Sequence, residues 1–272
     1  MTEPIPPKFS DLLDNMARRC TSCGVCVRSC DFLRRSGSPA ALARQGLEDG
    51  ASLLRAYECS LCGLCDALCP LRLSPATMFP AMRREAVKTG RVETKTYRPW
   101  LNYEKLGGAL PFRRHALPRD CTTVFFPGCS LPGSRPQAVL SLLAALRRND
   151  PAVGLVLDCC GKISHDLGYG ASFERISESL RRRLHGSGVR RILTACPGCD
   201  LMLRKLDGDF EVRSIYEVLT EGDAVAETAP NRGTVAVHDP CPSRFDPKRQ
   251  QAVRELIRRA GYAVEELPEH GR

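Results

Sequence analysis

Aromatic residues are scarce in this chain. They make up 6% of its 272 residues, with a single tryptophan, Trp100. The arginine groups Arg34-Arg35, Arg83-Arg84, Arg113-Arg114 and Arg181-Arg182-Arg183 therefore have no interleaved rings on which bases could stack, which argues against a nucleic-acid surface. No stretch approaches the about eighteen uninterrupted apolar residues of a membrane span. The opening MTEPIPPKFSDLL has no basic segment leading into an apolar run, so no secretory leader is expected. No G-x-G-x-x-G follows a strand-like run, so a nicotinamide or flavin fingerprint is missing and dehydrogenase chemistry would need another subunit.

Cysteine, by contrast, is abundant. Fifteen cysteines in a chain expected to be cytoplasmic and reduced point to metal ligation rather than disulfides. Eight form two runs of C-x2-C-x2-C-x3-C, Cys20-Cys23-Cys26-Cys30 and Cys59-Cys62-Cys65-Cys69, the second followed by Pro70. This is the bacterial ferredoxin arrangement for two [4Fe-4S] clusters. Three cysteines with two-residue gaps let one turn wrap three corners of a cubane, and the fourth ligand must come from elsewhere. The alternative is a pair of zinc sites, but a third cysteine at the same gap is hard to place on one tetrahedron. By resemblance to two-cluster ferredoxins, cluster one takes Cys20, Cys23, Cys26 and Cys69, and cluster two takes Cys59, Cys62, Cys65 and Cys30. Gly24 and Gly63, each after the second cysteine of its motif, let the backbone approach the cluster and aim N–H groups at its sulfides. The formal charge of +9 falls to roughly +5 once two such sites, each 2−, are counted. The basic groups then read as solvated helix faces and compensation for anionic clusters, with a docking face for an acidic partner or a membrane surface left open.

Residues Ser38 to Glu58 read as helix with a break near Gly46 and Gly50, and a second helix follows Pro75 and ends at Gly90. The first domain, 1–95, is thus expected to be mostly helical, which resembles the helical ferredoxin domains of heterodisulfide reductase and of succinate dehydrogenase iron–sulfur subunits. Residues 96–120, with prolines at 99, 111 and 118, read as a linker or crossover whose Tyr97, Trp100 and Tyr103 pin it to a surface or meet a partner.

Beyond Cys121 the texture changes. TTVFFPG, VGLVLD, RRILTA, FEVRS and TVAVHD are short β-branched apolar runs, and stretches of helical periodicity alternate with them, predicting a parallel, doubly wound sheet. The overall class is α+β: a helical dicluster domain followed by an α/β cysteine-rich domain. Cys129, the pair Cys159-Cys160, and Cys196 with Cys199 each follow a strand, so five cysteines are expected to converge at the carboxyl edge of the sheet. Cys241 follows the fifth run and is a further possible metal ligand, left over if one CCG site is complete without it. Cys121 has no motif partner and reads as a buried thiol.

PGC, DCCGK and CPGC, with gaps of about thirty and thirty-five residues, resemble the cysteine-rich CCG module found in the B-type and D-type subunits of heterodisulfide reductase. The same module occurs in iron–sulfur subunits of glycolate oxidase, lactate-utilisation enzymes and anaerobic glycerol-3-phosphate dehydrogenase. The resemblance nominates Cys129, Cys159, Cys160, Cys196 and Cys199 as ligands of a third iron–sulfur cluster, non-cubane or cubane, or of zinc. It makes Cys159 and Cys160 candidates for catalysis. His165 and Lys162, just after the pair, would supply a proton or damp the cluster's charge, or else serve as helix-start residues; His238 in HDPC has the same two readings.

The family usually carries two CCG modules. TVAVHDPC repeats TTVFFPGC, so residues 121–230 form a first module and 231–272 the start of a second. The gap from Cys129 to Cys159, applied from Cys241 with the helices' offset of about two residues, falls at about residue 273, past Arg272. The expectation is a truncated chain or a decayed second site. The resemblance implies an iron–sulfur subunit that receives electrons from a flavoprotein, ferredoxin or membrane cytochrome and passes them through two cubanes to the CCG site for disulfide-type reduction. Peripheral membrane association through partners is compatible with this. The alternative is a purely electron-transferring subunit of a flavin-dependent 2-hydroxyacid or glycerol-3-phosphate dehydrogenase.

Overall fold

The structure, a computed structural model, describes residues 8–206, 208, 210–222 and 232–268. The chain divides into two compact units, Met1–Pro99 with Ile163–Ala171, and Trp100–Lys162 with Ser172–Arg272.

The first unit is helical. Its elements are α1 (Phe9–Arg19), α2 (Val25–Arg28), α3 (Asp31–Ser36), α4 (Pro39–Glu48), a 3₁₀ helix (Gly50–Glu58), α5 (Leu64–Ala67) and α6 (Pro75–Lys88). Ser38 caps α4 by accepting the Ala41 N–H, with Pro39 in the first turn where a missing N–H costs nothing. The break expected near Gly46 and Gly50 is where α4 gives way to the 3₁₀ helix. Gly46 itself is buried, because a side chain there would meet Leu13, Leu53 and Met82. Leu13, Leu33, Leu42, Met78, Phe79 and Met82 form the core, with Phe32 edge-on to Phe79 at 5.3 Å between ring centres. Cys20, Cys26, Cys30, Cys59 and Cys69 pack against this core.

The stretch read as a linker is largely regular. It carries α7 (Thr94–Gly107) and β1 (Arg114–Ala116), which pairs antiparallel with β3 (Gly154–Leu157). Apolar periodicity did not reveal α7 because Trp100, Tyr103 and Leu106 are exposed and the buried residue within it is Glu104.

In the second unit β2 (Thr123–Phe126), β3, β4 (Arg191–Thr194) and β5 (Glu211–Ser214) pair in parallel, in the order β1-β3-β2-β4-β5. The intervening helices are α8 (Ser130–Ser134), α9 (Pro136–Asn149), α11 (Gly170–Gly186, from Ser172 on in this unit) and α12 (Pro197–Leu203), followed by α13 (Ile215–Glu221); α10 (Lys162–Leu167) belongs to the first unit from Ile163 on. Successive strand residues face opposite sides. Val124, Phe126 and Ile192 pack with Leu180 and Leu184 of α11, whereas Phe125 and Leu193 pack with Val139, Leu143 and Leu146 of α9. Helices therefore cover both faces, as the alternating pattern predicts. The fifth run differs. It forms β6 (Thr234–Val237), which pairs in parallel with β7 (Ala263–Glu266) across α14 (Pro247–Arg259) in a separate two-stranded sheet. Periodicity predicts a strand but not the sheet it joins, because pairing partners are chosen over long sequence separations. The expected boundary between modules at residues 230 and 231 lies outside the described residues.

Candidate metal centres

The two ferredoxin-type loops share one backbone. Ser22 and Gly24 in the first, and Leu61 and Gly63 in the second, all have positive φ, between 54° and 82°. Gly24 and Gly63 then open α2 and α5. Left-handed residues at matching positions curl each loop so that backbone N–H groups turn inward, an arrangement suited to anionic sulfur. Already the Leu61 N–H donates to Cys59 Sγ and the Leu73 N–H to Cys69 Sγ, each at 3.4 Å.

One cavity is lined by Cys20, Cys23, Cys26 and Cys69, together with Gly24, Ser38, Pro39 and Pro70. Burial raises the Cys26 thiol, and the neighbouring Cys20, Cys23 and Cys69 sulfurs raise it further. In the other group burial pushes Cys59 up to about 11; Cys62 and Cys30 add to this, while the nearby Arg83 guanidinium opposes it. Cys65 is raised by burial, then by Asp66, Cys59 and Cys62. Cys69 thus lies beside Cys20, Cys23 and Cys26, and Cys30 lies near Cys59.

In the second unit, β3, β2 and β4 are adjacent and parallel, so the loops after them meet at one edge. Cys129 follows β2, Cys159 and Cys160 follow β3, and Cys196 and Cys199 flank the start of α12 after β4. Gly128 and Gly161, at φ +84° and +75°, make the turns. A Cβ on Gly128 would come within 3.0 Å of Cys196 Cβ and 3.3 Å of Cys199 Sγ. Hydrogen bonds from Cys199, then the backbone N–H groups of Cys199 and Gly198 and the charge of Lys162, hold Cys196 down to about 6 against its burial. Cys199 is raised by its hydrogen bonds with Cys160 and Cys196 and by burial. Cys159 is raised by burial and by Cys160, with Glu104 and Cys129 adding. Cys129 is raised by burial, and the neighbouring Tyr103 opposes this.

Five cysteines therefore gather from three neighbouring loops, and the donor set is all soft sulfur, the chemistry that selects iron–sulfur clusters or zinc. Among the described residues no three His, Cys, Asp or Glu side chains are set to hold one metal ion as they stand. The arrangement carries the donor chemistry of a metal centre without a closed coordination geometry.

The remaining candidates separate. The Lys162 side chain lies over Gly198, where a Cβ would meet its Cδ at 2.8 Å, beside Cys196. His165 belongs to the first unit and its Nδ1 lies 2.9 Å from Asp166 Oδ1. His238 is exposed after β6, and Cys241 starts a 3₁₀ turn beyond the second sheet's β6. Cys121 is buried, its thiol donating to the Thr123 carbonyl at 3.2 Å, as a structural thiol would.

Sequence reasoning passed over Asp158, although it stands directly before the cysteine pair. Its side chain is 1% exposed. One oxygen accepts the Cys159 N–H at 2.8 Å; the other accepts His115 Nε2 at 2.9 Å and Arg183 Nη2 at 2.7 Å. His115 reaches it because β1 pairs beside β3. The carboxylate thus ties the Cys159 backbone to β1 and α11. Asp158→Ala would leave the half-buried Arg183 guanidinium and the Cys159 N–H without this acceptor, at a cost of about 2 kcal/mol. The expected outcome is metal lost from the five-cysteine centre with the dicluster iron retained, read by iron analysis and EPR. Full iron at wild-type signal would count against the anchoring role.

Two family models match the chain, a 4Fe-4S dicluster domain over residues 16–73 and a cysteine-rich domain, CCG, over 123–204. The chain is a CCG-domain iron–sulfur protein resembling the D-type subunits of heterodisulfide reductase. The D-type subunit of the dihydromethanophenazine:CoB–CoM heterodisulfide reductase of Methanosarcina barkeri is 22% identical over 278 residues, covering 82% of this chain and 68% of that protein. The C-type subunit of the ferredoxin:CoB–CoM heterodisulfide reductase of Methanosarcina acetivorans is 34% identical over 84 residues, covering 29% of this chain and 34% of that protein. This chain thus spans about a third of the C-type relative and about two thirds of the D-type relative. No solved structure matches. In this CCG-domain protein the matched segments enclose both ferredoxin-type motifs and all five cysteines at the sheet edge.

Proposed function

We propose that this chain is an iron–sulfur electron-transfer subunit of a heterodisulfide reductase-like oxidoreductase, in which two [4Fe-4S] centres feed the CCG site and a disulfide or similar small acceptor is reduced there. The observation that carries this reading is the convergence of Cys129, Cys159, Cys160, Cys196 and Cys199 at one sheet edge, in a chain that also holds a complete dicluster motif. Cys20, Cys23, Cys26 and Cys69 would hold one cubane, Cys59, Cys62, Cys65 and Cys30 the other, and the five CCG cysteines a third cluster. Bound clusters of this kind supply reversible one-electron transfer.

The chain's own residues prepare the CCG site. Lys162 and the N–H groups of Gly198 and Cys199 offset negative charge at Cys196. Asp158 fixes the backbone of Cys159. The glycine turn at Gly128 keeps the carbon framework back from Cys196 and Cys199, and the one at Gly161 leaves room for Phe173 and Ile176. The electron donor is proposed to be a flavoprotein, a ferredoxin or a membrane cytochrome in a partner subunit. No helix among the described residues is long and apolar enough to cross a membrane.

Iron and zinc analysis with EPR of anaerobically purified protein tests the reading. About twelve irons per chain, with a signal beyond the ferredoxin types, is the expected result. About eight irons with ferredoxin signals alone, or zinc in the CCG site, would overturn it.

A further inference from the structure

The second unit contains a cavity of about 380 Å³ that is bordered by Cys129. Tyr103 and Leu106 of α7 wall it, with Phe112 from the segment after the helix, Pro132 of α8 and Leu157 at the end of β3. Tyr103, Leu106 and Phe112 are 47%, 54% and 61% exposed, so three large side chains face this hollow and solvent instead of a core. Gly107, Gly128 and Gly133 complete the lining and keep it open.

Polar chemistry in the cavity is limited and already committed. The Asp158 carboxylate, which borders it, is bonded to His115, to Arg183 and to the Cys159 N–H. The Tyr103 side chain neighbours Cys129 in the wall. None of the described lining residues is a lysine, arginine or histidine. An anionic ligand would therefore lose hydration and meet no countercharge, whereas an uncharged apolar one gains by leaving water. The volume lies at the small end of ligand pockets, which run from about 300 to 1,000 Å³.

We propose that this cavity is a binding site for a small, uncharged, largely apolar molecule held against Cys129. The proposal rests on the reading above only in treating Cys129 as part of the CCG centre, and it specifies the class of molecule that centre admits: neutral rather than carboxylate-, sulfonate- or phosphate-bearing at the end that enters.

The test uses two unreactive thioethers of similar length, neutral dibutyl sulfide and dianionic thiodibutyrate, titrated into the anaerobic holo-protein. Binding is followed by calorimetry, and iron content and EPR are recorded on the same samples. Dibutyl sulfide is expected to bind saturably and thiodibutyrate more weakly by roughly tenfold or more. Leu106→Asp and Phe112→Asp, at exposed positions that the fold does not need, are expected to weaken dibutyl sulfide about tenfold while iron and EPR stay at wild-type values. Equal binding of the two thioethers, no saturable binding of dibutyl sulfide, or binding indifferent to both substitutions would overturn the proposal. The two readings fail separately. A missing third signal with binding intact would overturn the proposed function alone, and a full third signal without binding would overturn the cavity assignment alone.

Discussion

Arg83→Leu is expected to destabilise the first unit by about 3 kcal/mol, lowering its melting temperature by roughly 10 °C. Arg83 lies on α6 and is 6% exposed. Its guanidinium donates to the Ala56 carbonyl at 2.9 and 3.0 Å, to the Cys59 carbonyl, and to the Asp166 carbonyl at 2.6 Å. Leucine can match much of the volume but none of the donors, so three carbonyls would be left short of a partner. The residue also sits 5.0 Å over the Tyr57 ring, and the Tyr57 hydroxyl donates to the Leu167 carbonyl at 2.8 Å. Within the first unit, then, this side chain joins the backbone of a proposed cluster ligand, Cys59, to the segment Ile163–Ala171. Gly168 seals the joint, since a Cβ there would strike the Arg83 carbonyl at 2.5 Å. Arg83→Lys should recover only part of the loss, because an ammonium cannot span three carbonyls with the planar fork of a guanidinium. Thermal unfolding of the anaerobic holo-protein reads the effect, and a change below about 1 kcal/mol would show that these bonds are replaceable by water.

Cys69→Ser is expected to damage the centre of the first motif, Cys20, Cys23 and Cys26, and not the centre of the motif to which it belongs. Its sulfur lines the same cavity as those three and raises the Cys26 thiol. Cys30 raises Cys59 in the same way. Loss or conversion of one cubane would cost up to about four irons per chain and one EPR signal. Pairs of substitutions distinguish the arrangements. Cys69→Ser combined with Cys23→Ser should lose no more iron than the worse of the two alone, because both act on one centre. Cys69→Ser combined with Cys62→Ser should lose both centres. The opposite pattern, with Cys69→Ser additive to Cys23→Ser and not to Cys62→Ser, would show that each motif binds its own cluster.

Much of this protein could be read from local sequence. The cysteine spacings name the metal chemistry, since three sulfurs at two-residue gaps demand a turn tight enough to wrap one cluster. Alternation of β-branched runs with helical periodicity predicts a sheet covered on both faces, and Phe125 against Phe126 shows the two faces at adjacent positions. The capping of α4 by Ser38 and the end of α6 before Gly90 are equally local. What resisted reading was non-local or lacked an apolar signature. Helix α7 exposes its apolar side chains to a cavity, so no buried stripe marks it. The separate pairing of β6 with β7 depends on partners chosen in space.

The sequence by itself determined the candidate ligands, because metal preference depends on donor type and on spacings of two or three residues. Only the tertiary structure decided their company. Cys69 sits with the first motif, Asp158 stands behind Cys159 with His115 and Arg183, and Tyr103 meets Cys129 over an apolar hollow. These groups come together through strand order and helix packing, across gaps of more than forty residues for Cys69 and for Asp158 with His115, and of about twenty-five for Asp158 with Arg183 and for Tyr103 with Cys129. Such contacts are set by which surfaces bury one another, and no short stretch of chain encodes that.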